Sequence, residues 1–193
     1  MNNAATVEPA GPTATAAPED WARAVAVNLT GPVRLTLAVL DAMIRQGYGR
    51  IVNVSSAIAA APGAIPGLNA YAASKAALEA HTLGLAAELA GTGVTVNIVR
   101  PGPVDTAMPA WILAQRPAQI GAGLHDRFAA MRDAGLMASP DRPARISPAS
   151  SPVTPPARSP GPATQPRSPV TSRAGHLRDL AAAGAARAGI VVT

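Results

Sequence analysis

The chain has 193 residues, a formal net charge of +5, 48% hydrophobic residues and only 3% aromatics. That length suffices for one ordinary domain whose core is built from Ala, Val, Leu and Ile. The absence of cysteine excludes a disulfide scaffold and a thiolate metal site, and His81, His125 and His176 lie in unrelated surroundings that suggest no zinc site.

Residues 1–19 are rich in Ala, Pro and Thr, have no period and read as a loop. The first twenty residues hold no Lys or Arg and no compact apolar block, so they do not read as a signal peptide. No apolar run approaches ~18 residues, so no transmembrane helix is expected and a soluble cytoplasmic protein is the default. From Pro18-Glu19-Asp20 a helical pattern begins. Trp21, Val25, Leu29, Val33, Leu37, Leu40 and Ile44 step by four or three as one apolar stripe, ended by Gly47 and Gly49.

Arg50-Ile51-Val52-Asn53-Val54-Ser55 is a short β-branched run that reads as a strand buried on both faces. A small-residue loop over 57–69 leads into an Ala- and Leu-rich helix over 71–90, stopped by Gly91 and Gly93. Val94 to Arg100 is a second strand, closed by Pro101-Gly102. Strand, helix, strand is a βαβ unit with parallel strands and a right-handed crossover, so the fold class is α/β. Two weaker helices are predicted near 107–116 and 123–134.

Residues 146–170 hold eight Pro and five Ser, a composition that cannot build a core. A short Ala-rich helix is conceivable over 177–189. Residues 146–193 also carry five Arg against one Asp, so most of the charge excess sits in this tail. With no basic helix and no stacking aromatics, it does not point to nucleic acid.

In a parallel sheet, ligands bind beyond the carboxyl ends of the strands. Ser55-Ser56, the helix start with Tyr71 and Lys75, and Pro101-Gly102 all fall on that edge. Tyr71 and Lys75, four apart, share a helix face. An ammonium beside a phenol favours phenolate and depresses the phenol pKa from roughly 10. Such a Tyr can exchange a proton with an alcohol or carbonyl oxygen, and a neighbouring Ser can hold that oxygen. A plain surface pair is the alternative for Tyr71 and Lys75 taken alone. Pro32 lacks an N–H, so the carbonyl of Asn28 loses its helical partner and needs another donor; a simple Gly31-Pro32 kink is the alternative.

Tyr71-Ala-Ala-Ser74-Lys75, Ile51-Val-Asn-Val-Ser-Ser56, Asn28-Leu-Thr-Gly31, Val94-Thr-Val-Asn97 through Arg100-Pro-Gly-Pro-Val-Asp-Thr106, and Met1-Asn2-Asn3-Ala4 occur in one order. Together they resemble the C-terminal, catalytic part of a short-chain dehydrogenase/reductase over residues 1–145. The resemblance implies that Tyr71 is the general acid/base and that Lys75 lowers its pKa and holds the nicotinamide ribose. It implies that Ser56, with Ser55 as the alternative, orients the substrate oxygen, and that Asn28 holds a proton-relay water through its carbonyl. Asn2, Pro101, Gly102, Val104 and Thr106 would join Tyr71 and Lys75 in contacting the cofactor, NAD or NADP. The substrate would be a small-molecule alcohol or carbonyl, shaped by residues 57–69 and 103–135. Met108, Trp111, Ile112 and Leu113 would form a lid or pack plainly. Helices 20–46 and 71–90 would form a homo-oligomer interface, and neither nucleic acid nor membrane is expected as a partner.

No Thr-Gly-x-x-x-Gly-x-Gly turn occurs in the chain, and Ala5 replaces the Gly of the Asn-Asn-Ala-Gly motif. The expected architecture is therefore a partial Rossmann-like, doubly wound parallel sheet lacking its first βαβ half, on the order of 90 residues. It would leave a raw strand edge and one uncovered sheet face. Residues 1–145 read as the catalytic domain and 146–193 as a low-complexity, disordered tail. For the tail a reading-frame change near 146, a plain extension and a Pro-rich recognition segment (Pro152 to Pro155) are open. The function is an NAD(P)-dependent alcohol/carbonyl oxidoreductase or, alternatively, an inactive remnant that at most associates with an intact homologue.

Overall fold

The structure, a computed structural model, describes residues 1–141 and the strand residues 190–192. Strand β1 (Gly49–Val54) pairs in parallel with β2 (Val94–Arg100), in register from Gly49 opposite Val94 to Val54 opposite Val99. Helix α3 (Asn69–Glu88) is the crossover between them, so the predicted βαβ unit is present with boundaries moved by one or two residues. Asn2 bridges Asn53 in parallel on the far side of β1, and β3 (Ile190–Val192) pairs in parallel with β2.

That last strand falls inside the segment read as a tail, and the sequence did not foretell it. The rest of that segment, with the helix expected over 177–189, lies outside the described residues.

The sheet's burial decides between strands buried on both faces and a sheet with one uncovered face, in favour of the second. Ile51, Asn53, Val94, Val96 and Ile98 are buried, whereas Arg50, Thr95 and Asn97 are exposed and Val52, Val54 and Val99 half-buried. Alternate residues point to opposite faces. One face therefore packs on α3, and among the described residues the other is left largely open.

A continuous helical stretch covers Pro18–Arg45 in three parts: α1 (Pro18–Val25), a π-turn (Ala26–Thr30) and α2 (Gly31–Arg45). Pro18 and the acids Glu19 and Asp20 start it, as a helix N-terminus favours. Gly31 N–H reaches back five residues to the Ala26 carbonyl, and Pro32 has no N–H to offer Asn28. The buried face lies beside the apolar stripe: Ala24, Asn28, Pro32 and Thr36 turn inward, Trp21, Val25, Leu29, Val33 and Leu40 are half-buried, and Leu37 and Ile44 are exposed. On length and composition alone this stretch could cross a membrane, a property that counting consecutive apolar residues missed.

After β2 come α4 (Ala107–Ala114), α5 (Pro117–Ile120) and α6 (Ala122–Asp133). Ile112, Ile120 and Leu124 pack with Val7, Ile58, Leu68 and Tyr71 in one core cluster. Ile51, Leu85, Leu89, Val94 and Val96 form a second, under the sheet.

Candidate active site

Helix α3 carries Tyr71 and Lys75 one turn apart at the carboxyl end of β1. The Tyr71 ring is buried in the first core cluster, and Lys75 is only 2% exposed. A buried ammonium needs a partner, and Lys75 Nζ donates to the Val54 carbonyl at 2.7 Å. It stands 5.8 Å from the centre of the Tyr71 ring.

The electrostatics reverse one expectation. Burial pushes the Tyr71 phenol above its ordinary value, and a hydrogen bond with the Ser56 hydroxyl only partly pulls it back. The Lys75 ammonium is engaged by Val54, and burial brings Lys75 itself down to about 8.

The two serines part company. Ser55 Oγ donates to Glu79 Oε1 at 2.6 Å. The hydroxyl that meets the Tyr71 phenol belongs to Ser56, whose oxygen also receives the Ile58 N–H at 3.4 Å. Asn28 is fully buried, and its side chain is wholly engaged. Its Oδ1 accepts the Thr6 N–H, and its Nδ2 donates to the Thr6 carbonyl and to Ser74 Oγ. Ser74 Oγ in turn donates to the Tyr71 carbonyl at 2.8 Å. Asn28 thus ties the N-terminal loop to the helix turn that carries Tyr71.

Asn2 does not join these groups. Its N–H and carbonyl pair with Val52 and Val54, and its side-chain amide donates to Asn53 Oδ1 and Thr36 Oγ1. It clamps the sheet edge instead. Pro101 and Val104 are half-buried and Gly102 and Thr106 exposed in the loop leaving β2. Asp105 N–H and the Pro103 carbonyl pair with Ala138, which pins this loop. Ile112 is fully buried in the Tyr71 cluster, with Met108 and Trp111 packed against it, so this stretch is packed rather than swung open.

A cavity of about 320 Å³ lies between the N-terminal loop and α4–α5, lined by Glu8, Asp20, Trp111, Gln115, Gln119 and Ile120 among others. Of the two stretches expected to shape the substrate pocket, 103–135 lines it through Trp111, Gln115, Gln119 and Ile120, and 57–69 does not. Among the described residues there is no group of three or more His, Asp or Glu placed to hold a metal ion.

Sequence reasoning missed two residues beside the site. Glu79 and Arg100 form a bidentate ion pair with little solvent exposure. Burial pushes the Glu79 carboxyl up, but hydrogen bonds from Arg100 and Ser55, together with the Arg100 charge, hold it below the usual carboxylate range. The hydrogen bond to Glu79 likewise raises Arg100. The available signal was a charged residue closing an apolar strand, and an acid one turn beyond Lys75.

Residues 1–117 match the family model described as short chain dehydrogenase. A short-chain type dehydrogenase/reductase of Picea abies is 44% identical over 109 residues, covering 56% of this chain and 40% of that protein. The 2,3-dihydro-2,3-dihydroxybenzoate dehydrogenase of Escherichia coli K12 is 37% identical over 140 residues, 72% of this chain and 56% of its own length. The chain thus spans about half the length of the curated relatives it matches. Among solved structures, a putative NAD(P)-dependent gluconate 5-dehydrogenase from Beutenbergia cavernae with bound NADP aligns with a TM-score of 0.60 at 34% identity, over 72% of this chain and 52% of that one. An actinorhodin polyketide ketoreductase variant with NADPH aligns at 0.58 and 36%, over 68% and 50%.

Proposed function

The chain belongs to the short-chain dehydrogenase family, and from that premise we propose that residues 1–145 carry the catalytic, nicotinamide-side part of an NAD(P)-dependent alcohol/carbonyl oxidoreductase. The observation that carries the reading is the Tyr71–Lys75 pair on α3 at the carboxyl end of β1, with Lys75 Nζ held by the Val54 carbonyl at 2.7 Å and standing 5.8 Å from the Tyr71 ring centre; the Ser56 hydroxyl beside the phenol fits the same reading. Two hydroxyls so paired can both face one substrate oxygen. With its pKa raised above the ordinary value by burial, the Tyr71 phenol is protonated at neutral pH as any phenol is, the form that donates a proton to a carbonyl oxygen during reduction. Ser56 holds that oxygen and orients it. In the oxidative direction it is the phenolate form of Tyr71 that receives the alcohol proton.

A nicotinamide dinucleotide, when bound, supplies or accepts the hydride. The donor set fits its nicotinamide end: a phenol, an ammonium and the open loop 101–106 converge on one strand edge. Lys75 would hold the ribose there, and Pro101, Gly102, Val104 and Thr106 would line the ring. Asn28, through its carbonyl at the π-turn, would hold a water leading away from Lys75. Asn2 acts indirectly, by fixing the strand edge.

Assembly forms part of the same reading. Val27, Leu35, Leu37, Val39 and Ile44 are exposed on the long helical stretch, which supports a homo-oligomer built through helices 20–46 and 71–90.

Replacing Tyr71 by Phe tests the mechanism. Turnover of a ketone with NADH or NADPH falls ~10²–10⁴-fold, with the circular dichroism unchanged; retained turnover removes Tyr71 from the chemistry.

A further inference from the structure

Glu79 lies one helical turn beyond Lys75 on α3 and is only 8% exposed. Its Oε1 accepts from Ser55 Oγ at 2.6 Å and from Arg100 Nε at 2.7 Å, and its Oε2 accepts from Arg100 Nη2. These bonds gather three segments. Ser55 sits between Val54, whose carbonyl takes the Lys75 ammonium, and Ser56, whose hydroxyl meets Tyr71. Arg100 is the last residue of β2 and precedes the loop 101–106. The backbone adds one more tie, from Ser55 N–H to the Val99 carbonyl at 2.8 Å.

Burying a carboxylate costs several kcal/mol unless it is paired and hydrogen-bonded. An apolar trio would pack the same space with equal or better stability. What the charged trio adds is direction. A bidentate guanidinium–carboxylate pair has one planar geometry, and the carboxylate then points its remaining lone pairs at Ser55.

Resting on the function proposed above, we infer that Glu79 is a positioning residue: its carboxylate, oriented by Arg100, fixes the Val54–Ser56 corner so that Ser56, Tyr71 and Lys75 share one frame. Glu79 reaches the reacting groups only through that corner. The nearby charges are Lys75 on its own helix and Arg100 across the sheet end.

The test reads the Tyr71 phenol and needs no turnover. The chain has two tyrosines, so Tyr48→Phe leaves Tyr71 alone. Biosynthetic replacement by difluorotyrosine brings its ionisation below the range of alkaline unfolding, and phenolate absorbance is followed against pH. Lys75 titrates near 8 and is common to every variant, so only differences between variants count.

Glu79→Gln removes a negative charge, which alone lowers the phenol midpoint. Loss of the Ser56 hydrogen bond raises it. The positioning role therefore requires a rise, by about half a pH unit or more. Ser55→Ala changes no charge and cuts the link at its other end, so the midpoint rises in the same direction by less. If Glu79→Gln does not fold, Ser55→Ala decides. A folded Ser55→Ala protein whose midpoint stays put overturns the inference, as does a fall in folded Glu79→Gln. A chain without activity, or an active Tyr71→Phe protein, would sink the proposed function while leaving this measurement readable.

Discussion

Helix α3 and the Pro18–Arg45 stretch contact the same buried sheet face, but they obey different rules. α3 buries Tyr71, Ser74, Lys75, Glu79 and Thr82 along with its apolar residues. The longer stretch is the more apolar in pattern, yet it turns inward Ala24, Asn28, Pro32 and Thr36 and leaves Leu35 and Leu37 more than 60% exposed. Hydrogen bonding separates the two cases. The polar side chains that α3 buries most deeply have named partners: Val54 for Lys75, Arg100 for Glu79, the Leu78 carbonyl for Thr82; His81 Nε2 is the buried exception. Where the long stretch meets α3, the Asn28–Ser74 bond at 3.0 Å brings the helices close, and only small or hydrogen-bonded side chains fit between them. Burial here follows fit and partnership more than hydrophobicity.

The sharpest challenge to that contrast is a pair of truncations. Leu78→Ala, in the core face of α3, costs about 2–5 kcal/mol of unfolding free energy by urea titration. Leu37→Ala costs no more than about 0.5 kcal/mol in dilute solution. Equal costs would mean that the long helical stretch is covered in solution, and a dependence on protein concentration would identify another copy as the cover.

The buried ammonium of α3 makes a pH-dependent prediction. Lys75 has a folded pKa of about 8 against an ordinary 10.5. Between those values the unfolded chain binds the proton and the folded chain does not, so stability rises as pH increases through the window. It is lost as pH falls through about 8. The expected gain is on the order of 2 kcal/mol, and it vanishes in Lys75→Met. Tyr71, raised from 10.0, acts oppositely only above its unfolded value, so the interval from 8 to 10 is clean. A flat stability profile there in the native chain would show that Lys75 keeps its proton.

The smallest effect concerns the joint between the two regions. Gly93, just before β2, has φ +81°, and a Cβ on it would collide with the Gly47 carbonyl that follows the long stretch. Gly93→Ala should lower stability by ~1 kcal/mol or more, measured as a drop in the melting temperature. An unchanged melting temperature would mean that the joint has room to relax.

Much of this was readable from the residues. The Tyr71–Lys75 spacing, the two strands with the helix between them, and the lost helical bond at Asn28 are all local consequences of period, sterics and proline chemistry. The unreadable parts depend on what approaches from elsewhere in the chain. Ser55 and Ser56 are chemically identical neighbours, and only Glu79, 24 positions on, separates their roles. The phenol was expected to fall beside an ammonium, but its position inside the Val7–Ile58–Ile112 cluster reverses the sign. Asn2 looked like a cofactor contact until its partners were seen to be sheet residues. The strands read as buried on both sides because apolar runs do not reveal which face lacks a covering layer.

The π-turn at Ala26–Thr30 carries a consequence for how this chain tolerates length changes. An α-helix advances about 100° per residue. The widened turn takes up one residue more than a regular turn, so Pro18–Val25 and Gly31–Arg45 keep one phase across it. Deleting one of its residues other than Asn28 would restore a regular spiral with the two halves close to their present phase. The same deletion in the regular spiral on either side would turn one half against the other by about 100°. A single-codon loss is therefore absorbed at this point of the molecule and felt as a rotation elsewhere along the stretch.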